Sequence, residues 1–408
     1  LLSSLFGRSG QKSNKTFATN GQHHATGTND GTEQRAQQIG RQLLDAARAN
    51  AGGLLSKKFW NDKLMDYAMK DPAFKVQLFR FVDTFPTLRT PDQIYEHLMD
   101  YMSQPGVKAP PMIATGMKAG GVMKGTFAKT MASQITGMAN GFIAGTDAKD
   151  ALPKLTKLWK NGLAFSVDLL GEACVSDAEA DMYLQKYLDL VENLPAAVKD
   201  WTPNERLEKD HLGDIPRTNV SIKVSSLTAQ TDPIAFERVI DQSMARIVPI
   251  LEAAKSRGVF INFDMESFAT KDLTIELFKR CCRAVDFEGG IAMQAYLRSG
   301  DADATDMVEW AKAEGREVTV RLVKGAYWDY ETIHAEEMGW PQPVWPTKPH
   351  TDACFERMAR TFVGSTPTRK GEGGVKLACG SHNVRSIAVA LAALEKRGLP
   401  NSAIELQM

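Results

Sequence analysis

Arg321 and Lys324 stand three residues apart in the short apolar run Val318-Thr-Val-Arg-Leu-Val-Lys324, whose bulk comes from Val318, Val320, Leu322 and Val323. A charge buried among such residues needs a partner. The two cations therefore read either as groups for a polar or anionic ligand or as halves of ion pairs with a neighbouring helix. Other chemically capable residues recur at the ends of comparable runs: Lys223, Asp264 with Glu266 just beyond, Gln294, and His382-Asn383. Each has a duller reading. Lys223 and Asp264 would form a satisfied ion-pair network, Gln294 would be a core amide bonded to backbone, and Asn383 would cap the helix that starts at Val384. A lysine so placed is also a candidate Schiff-base nucleophile of a lyase or aldolase, with Lys223 and Lys324 as the two candidates.

These residues need elements to hold them. Gly315 and Gly325 bracket the Val318 run, which favours a strand followed by a loop. Similar strands are expected at 164–170, 220–226, 258–264, 291–296, 318–324, 376–380 and 403–407, with helical patterns between them. Asp232 and Pro233 mark one helix start. Phe236, Ile240, Met244, Ile247 and Leu251 form that helix's core face, and a kink is expected at Pro249. The alternation points to a parallel α/β fold. Seven strands can be placed, one βα unit short of a closed eight-stranded barrel. No GxGxxG follows a strand, which weighs against a Rossmann-type dinucleotide fold. Barrel sites form at the carboxyl ends of strands, where the polar residues above fall.

Upstream, residues 1–35 are rich in Ser, Gly, Asn, Gln and Thr and read as a flexible tail in which His23-His24 is incidental. Residues 36–103 predict an α-helical accessory domain, with a helix start at Pro91. Residues 104–150 are Gly-, Ala- and Met-rich and read as an arm or linker. The barrel occupies 151–408. With 49 basic and 49 acidic residues among 408, net charge is zero, and nothing suggests a nucleic-acid partner. No apolar run reaches the about 18 residues of a spanning helix, although peripheral membrane contact stays open. An odd set of five cysteines, no CxxC and no signal-peptide pattern predict reduced thiols in a cytoplasmic protein without a metal site. The sequence is compatible with a homo-oligomer.

With the continuation Gly325-Ala-Tyr-Trp328, the central stretch resembles the flavin-site strand of proline dehydrogenase, in the form found in bifunctional proline utilization A proteins. Further segments match in the same order from about Leu155 to Met408. The resemblance implies a TIM-like (β/α)8 barrel of the proline dehydrogenase type with an N-terminal α-helical domain and bound FAD. It implies oxidation of L-proline to Δ1-pyrroline-5-carboxylate by hydride transfer from proline C5 to flavin N5, with a quinone as electron acceptor and peripheral contact with the inner face of a membrane. By the same likeness Arg321 is the arginine near flavin N5, and Gln294 the glutamine at the polar edge of the ring. Lys324, Gly325, Ala326 and Trp328 surround the cofactor, as does Ser381-His382-Asn383, with serine where the family has threonine. Lys223 helps hold the proline carboxylate, Asp264 is the site aspartate, Tyr327 forms part of the wall, and Glu172 is the acid near the entrance. The family's Arg-Arg carboxylate clamp, in a Tyr-Leu-x-Arg-Arg motif on the last barrel helix, does not occur in this sequence, and none of the five cysteines matches the catalytic cysteine of the aldehyde dehydrogenase half. The expectation is therefore a barrel lacking its last unit, with an inactive structural or regulatory fragment as the alternative to a working dehydrogenase.

Overall fold

The computed structural model describes residues 31–49, 70–110, 114, 124–139 and 143–408. His23-His24 and the helices expected around Leu54 to Met65 lie outside these. The chain divides into two compact units: Ala46–Thr146, and Asp147–Met408 joined by the segment up to Asp45.

In the larger unit seven parallel strands follow one another in a single sheet, each beside its predecessor: β1 (Val167–Asp168), β2 (Thr218–Ile222), β3 (Val259–Phe263), β4 (Gly289–Gln294), β5 (Glu317–Val323), β6 (Gly374–Gly380) and β7 (Ile404–Gln407). Parallel neighbours require crossovers. These are made by helices including Asp177–Val198, Phe236–Arg257, Lys271–Ala284, Gly300–Ala313, Lys348–Gly364 and Val384–Lys396. This is the sequential winding of a TIM-like barrel, with seven strands among the described residues. Side chains alternate along each strand. Val318, Val320 and Leu322 on β5 join the apolar layer that includes Ile247 and Leu251 of Phe236–Arg257 and Leu277, Phe278 and Cys281 of Lys271–Ala284. The opposite face carries Ser221, Asn262 and Arg321, with Ser221 level with Asn262 across β2–β3.

Several expected boundaries move. β2 ends at Ile222, so Lys223 follows the strand and heads the helical turn Val224–Leu227. Likewise β5 ends at Val323 and Lys324 opens the loop. Asp232 caps a short 3-10 turn, Pro233–Ala235, and the long helix starts at Phe236 and continues through Pro249. An unforeseen helix, Trp328–Met338, fills part of the β5–β6 connection and stops at Gly339, whose φ of 66° suits a glycine.

The helix Thr32–Ala49 begins inside the stretch expected to be a tail. Its Ala36 and Ile39 are buried with Ala388, Val389 and Ala392, and Arg35 and Glu33 pair with Glu395 and Arg385. Amphipathic spacing, not composition, decides that segment. In the smaller unit Pro72–Thr84, Pro91–Met102 and Lys124–Ala139 share a core of Phe74, Phe81, Leu98, Ala128, Met131 and Ile135. Thr90 and Gln93 close a capping box around Pro91. Gly125 and Gly137 lie within the last of these helices, where burial of Ala128, Met131 and Ile135 outweighs their low propensity.

Two features of the barrel unit give testable outcomes. Lys271 donates to Asp303 at 2.8 Å, and their side chains are only 8% and 14% exposed. Removing one partner of a buried pair costs about 3–5 kcal/mol, whereas replacing both is often neutral. Lys271→Met should therefore lower the urea midpoint sharply, and adding Asp303→Leu should restore most of it. A single-variant loss below about 1 kcal/mol would mark the pair as solvated. The second concerns Glu331, buried in Trp328–Met338, whose carboxylate accepts the Phe268 N–H at 2.7 Å. Burial raises its pKa above the ordinary 4.5, and the Phe268 bond only partly offsets this. A raised folded-state pKa gives stability that is present below 4.5 and is lost as pH climbs through the folded value. Glu331→Gln keeps an acceptor but does not titrate, so its melting temperature should gain on the wild type between pH 4 and 7. Parallel melting curves over that range would contradict this.

Candidate active site

A network of alternating charges lies at and just inside the carboxyl ends of β1, β2, β3 and β5. Asp264, one residue past β3, is its centre. Its Oδ1 accepts from Arg321 Nη1 at 2.8 Å and from Asn262 Nδ2 at 2.9 Å, and its Oδ2 lies 3.4 Å from Lys223 Nζ. Lys223 also donates to both carboxylate oxygens of Asp168 on β1, at 2.5 Å each. Arg321 completes its fork with Ser221 Oγ and Ser166 Oγ, both at 3.0 Å. Period-two geometry makes this convergence possible, because each residue occupies an inward position on its strand or one just before or just after it. Burial opposes a charge on Lys223, but Asp264 and Asp168 outweigh it and hold its pKa above the ordinary lysine value.

Three loops form the rim. After β5, Tyr327 donates its hydroxyl to Glu172 Oε2 at 3.3 Å, across to the loop that follows β1. Burial, reinforced by Glu172, pushes the Tyr327 phenol well above its usual range. Gly325 has φ 121°, and a Cβ there would lie 2.4 Å from the Tyr296 ring, so the loop rests directly on that ring. Tyr296 N–H also donates to Lys324 O at 2.8 Å. Trp328 Nε1 bonds Trp345 O at 2.8 Å, while Ala326 is exposed. Gln294, last residue of β4, donates through Nε2 to Glu266 O at 3.1 Å and Met265 O at 3.4 Å.

Not all the expected residues converge. Lys324 pairs with Asp352 of Lys348–Gly364, which Lys348 also bridges at 2.7 Å. Burial lowers the Lys324 pKa despite that partner. Its side chain thus takes the strand-to-helix ion pair that sequence had left open. The Asn383 side chain caps Ser386 N–H at 3.1 Å and Ser381 Oγ accepts Asn383 N–H at 3.1 Å, while His382 is exposed. Missing from the sequence reading were Asp168, Ser166, Ser221 and Asn262. Asp168 carried a signal, being the one charge in the run Ala164-Phe-Ser-Val-Asp-Leu-Leu170. The small polar residues carried none until register placed them beside Arg321.

The site retains buried polar atoms without a hydrogen-bond partner of ordinary geometry, Gln294 Oε1 and Arg321 Nε, while the Tyr296 hydroxyl lies close to the Tyr327 backbone and the Gln294 side chain. Such atoms are costly unless something meets them. They sit around the mouth with the Gly325 loop, where a flat ring with polar edges has an amide acceptor, a guanidinium and a side-chain-free backbone to lie against. These residues fit an isoalloxazine. Among the described residues no group of His, Cys, Asp and Glu suits a metal ion.

Comparison with known proteins identifies the family. The family model for proline dehydrogenase matches residues 151–408, and that for the proline utilization A N-terminal domain matches 33–142. The bifunctional protein PutA of Rhizobium meliloti is 30% identical over 229 residues, 55% of this chain and 17% of that protein. Proline dehydrogenase 1 of Bacillus subtilis is 24% identical over 283 residues, 69% of this chain and 76% of that protein. The crystal structure of proline utilization A from Bdellovibrio bacteriovorus, inactivated by N-propargylglycine, superposes with a TM-score of 0.81 at 34% identity, over 92% of this chain and 37% of that one. The chain thus spans well under half of the bifunctional proteins it resembles. A match running the whole length of 151–408, over the sheet that carries the charge network, makes this chain a member of the proline dehydrogenase family.

Proposed function

We propose that this chain oxidises L-proline to Δ1-pyrroline-5-carboxylate with FAD as its cofactor, the first step of proline catabolism. The observation that carries the reading is the Arg321–Asp264–Lys223–Asp168 network at the barrel mouth, flanked by the unmet Gln294 oxygen. Gln294, Arg321 and the Gly325–Trp328 loop are the residues that would hold the isoalloxazine. Bound FAD would supply the acceptor for the C5 hydride, and a quinone would take the electrons onward.

The protein's own part is positioning and electrostatics. Arg321 is locked by Asp264, Ser221 and Ser166, so its charge is preorganised and reorients little when negative charge develops nearby. Lys223 stays protonated and offers a cation to the substrate carboxylate. Asp168 and Asp264 orient that cation and leave acidic oxygens for the substrate amine. Tyr327 and Glu172 narrow the rim. Because a quinone dissolves in lipid, the reading places the working protein peripherally on the cytoplasmic face of a membrane. Among the described residues no helix is long and apolar enough to cross one. The Schiff-base alternative is the weaker one. It needs a neutral lysine at the mouth, whereas Lys223 is held charged and Lys324, although burial lowers its pKa, is engaged by Asp352 on the surrounding helix rather than facing the network.

Stopped-flow reduction of the bound flavin by proline, with a melt of each variant, tests the reading. Arg321→Met should slow reduction by about 10²–10³. Arg321→Lys should recover only part of this, because it keeps the charge and loses the planar fork. Both variants should melt lower, having lost the bond to Asp264. A lower melt with wild-type reduction would reduce Arg321 to a structural role. Gln294→Leu should weaken flavin retention or shift its potential, and an unchanged value of both would remove Gln294 from the cofactor.

A further inference from the structure

We infer that Ser225 and Glu266 are positioning residues that fasten the Glu172 loop to the same peptide segment that holds the Gln294 amide. The inference rests on the proline dehydrogenase reading and goes beyond it by assigning two residues outside the charge network.

The loop after β1 is conformationally demanding. Ala173 has φ 53°, the left-handed region that a residue with a Cβ seldom adopts, and Gly171 has φ 149°. A Cβ on Gly171 would lie 1.8 Å from the Tyr183 hydroxyl, so the chain runs hard against that ring. Such a conformation persists only where its surroundings over-determine it. Beside Tyr183, which packs against Gly171, Ser225 supplies two of the bonds that hold it. Ala173 N–H donates to Ser225 Oγ at 2.9 Å, and Cys174 N–H donates to Ser225 O at 2.9 Å.

Ser225 is itself clamped. Its N–H donates to Glu266 Oε2 at 3.0 Å, and its hydroxyl donates to Glu266 Oε1. Ser225 Oγ is thus acceptor from the loop and donor to a carboxylate, an arrangement in which each bond polarises the next. Burial and the nearby Glu172 raise the Glu266 pKa, and the two Ser225 bonds counter them. The backbone carbonyl of Glu266 accepts Gln294 Nε2 at 3.1 Å. One residue therefore holds the rim loop through its side chain and the cofactor-facing amide through its main chain. Glu172, between the anchored Ala173 and the tight Gly171, then meets the Tyr327 hydroxyl. In this arrangement Ser225 sets where Glu172 stands, and so how tightly the rim closes over an amino-acid substrate.

The test compares Ser225→Ala, Ser225→Thr and Glu266→Gln with wild type in the flavin-loaded protein, by hydrogen exchange over 170–175, proline kinetics and flavin retention. Losing one hydrogen bond of ordinary worth corresponds to about a tenfold change at most. Ser225→Ala should speed exchange of the Ala173 and Cys174 amides and raise KM for proline by about that factor, with kcat within about threefold. Ser225→Thr, which restores the hydroxyl, should return both. Glu266→Gln should shift exchange and KM the same way but less, since one acceptor for Ser225 remains; if Ser225→Ala fails to fold, this variant decides alone. Wild-type exchange in Glu266→Gln, or wild-type exchange and KM in Ser225→Ala, would overturn the inference. So would equal losses of kcat and flavin with no Thr rescue, which describe a general structural defect. A wild-type protein inert to proline would instead sink the functional reading, while the exchange data still reported on the loop.

Discussion

The pairing of Arg321 with Asp264 is the interaction on which the barrel mouth depends. A guanidinium inside a sheet cannot shed its proton to escape burial, so its presence on β5 obliges the neighbouring strands to answer it. Asp264 answers from the end of β3, and Ser221 and Ser166 from β2 and just before β1. Asp264 in turn takes Asn262 and lies within reach of Lys223, which takes Asp168. Each group is bonded because its neighbour is. A barrel interior is ordinarily filled by branched apolar side chains; here Ser221, Asn262 and Arg321 take inward positions beside Phe260 and Val323.

Specificity of register follows from the same network. Shifting β5 by one residue would turn Arg321 towards the apolar helix layer and bring Leu322 to the mouth. That would cost an unpaired buried cation as well as the contacts of Val318, Val320 and Leu322. The polar interior thus works with the hydrophobic exterior in fixing how β5 lies against β4 and β6, where Arg321 stands level with Ala292 and Ala378. Two alanines as neighbours leave the long side chain room to cross the barrel.

Strand–helix alternation was legible because the buried strands are short apolar runs, mostly bounded by glycine or charge. The class of the fold and the strand sites follow from that alone, and element ends shifted by only a few residues. Less legible was the pairing. Arg321 and Lys324 look like one cluster in sequence, yet an odd spacing on a strand puts them on opposite faces. Arg321 meets Asp264 inside, and Lys324 meets Asp352 on the surrounding helix. Applied to the sequence, the same rule would have separated them. Ser221, Asn262 and Ser225 could not be read in this way. Small polar residues occur everywhere, and only the register and the loop after β1 give them partners. The helix Trp328–Met338 was hidden for a different reason. Its faces are largely exposed, with Tyr330, Ile333 and Met338 in solvent, so no apolar stripe marks it.

Charge at the mouth constrains what the proposed substrate must meet. Lys223 and Arg321 are matched by Asp168 and Asp264, so the network is close to neutral before Glu172 and Glu266 are added. A zwitterion approaching it brings one group of each sign. Its ammonium or amine finds acidic oxygens without any rearrangement, because Glu172 and Asp168 are exposed at the rim. Its carboxylate finds Lys223 already shared between two acids and Arg321 already forked onto three partners. Attraction between unit charges falls off with every competing opposite charge in contact, so these two cations alone would hold a carboxylate weakly. On the proposed reading, tight binding of proline therefore fits a further cation at the mouth, the part that the family resemblance gives to an Arg-Arg pair. The network's own contribution is then orientation: it fixes which end of the amino acid faces the acids, and so which edge of the ring faces the strands.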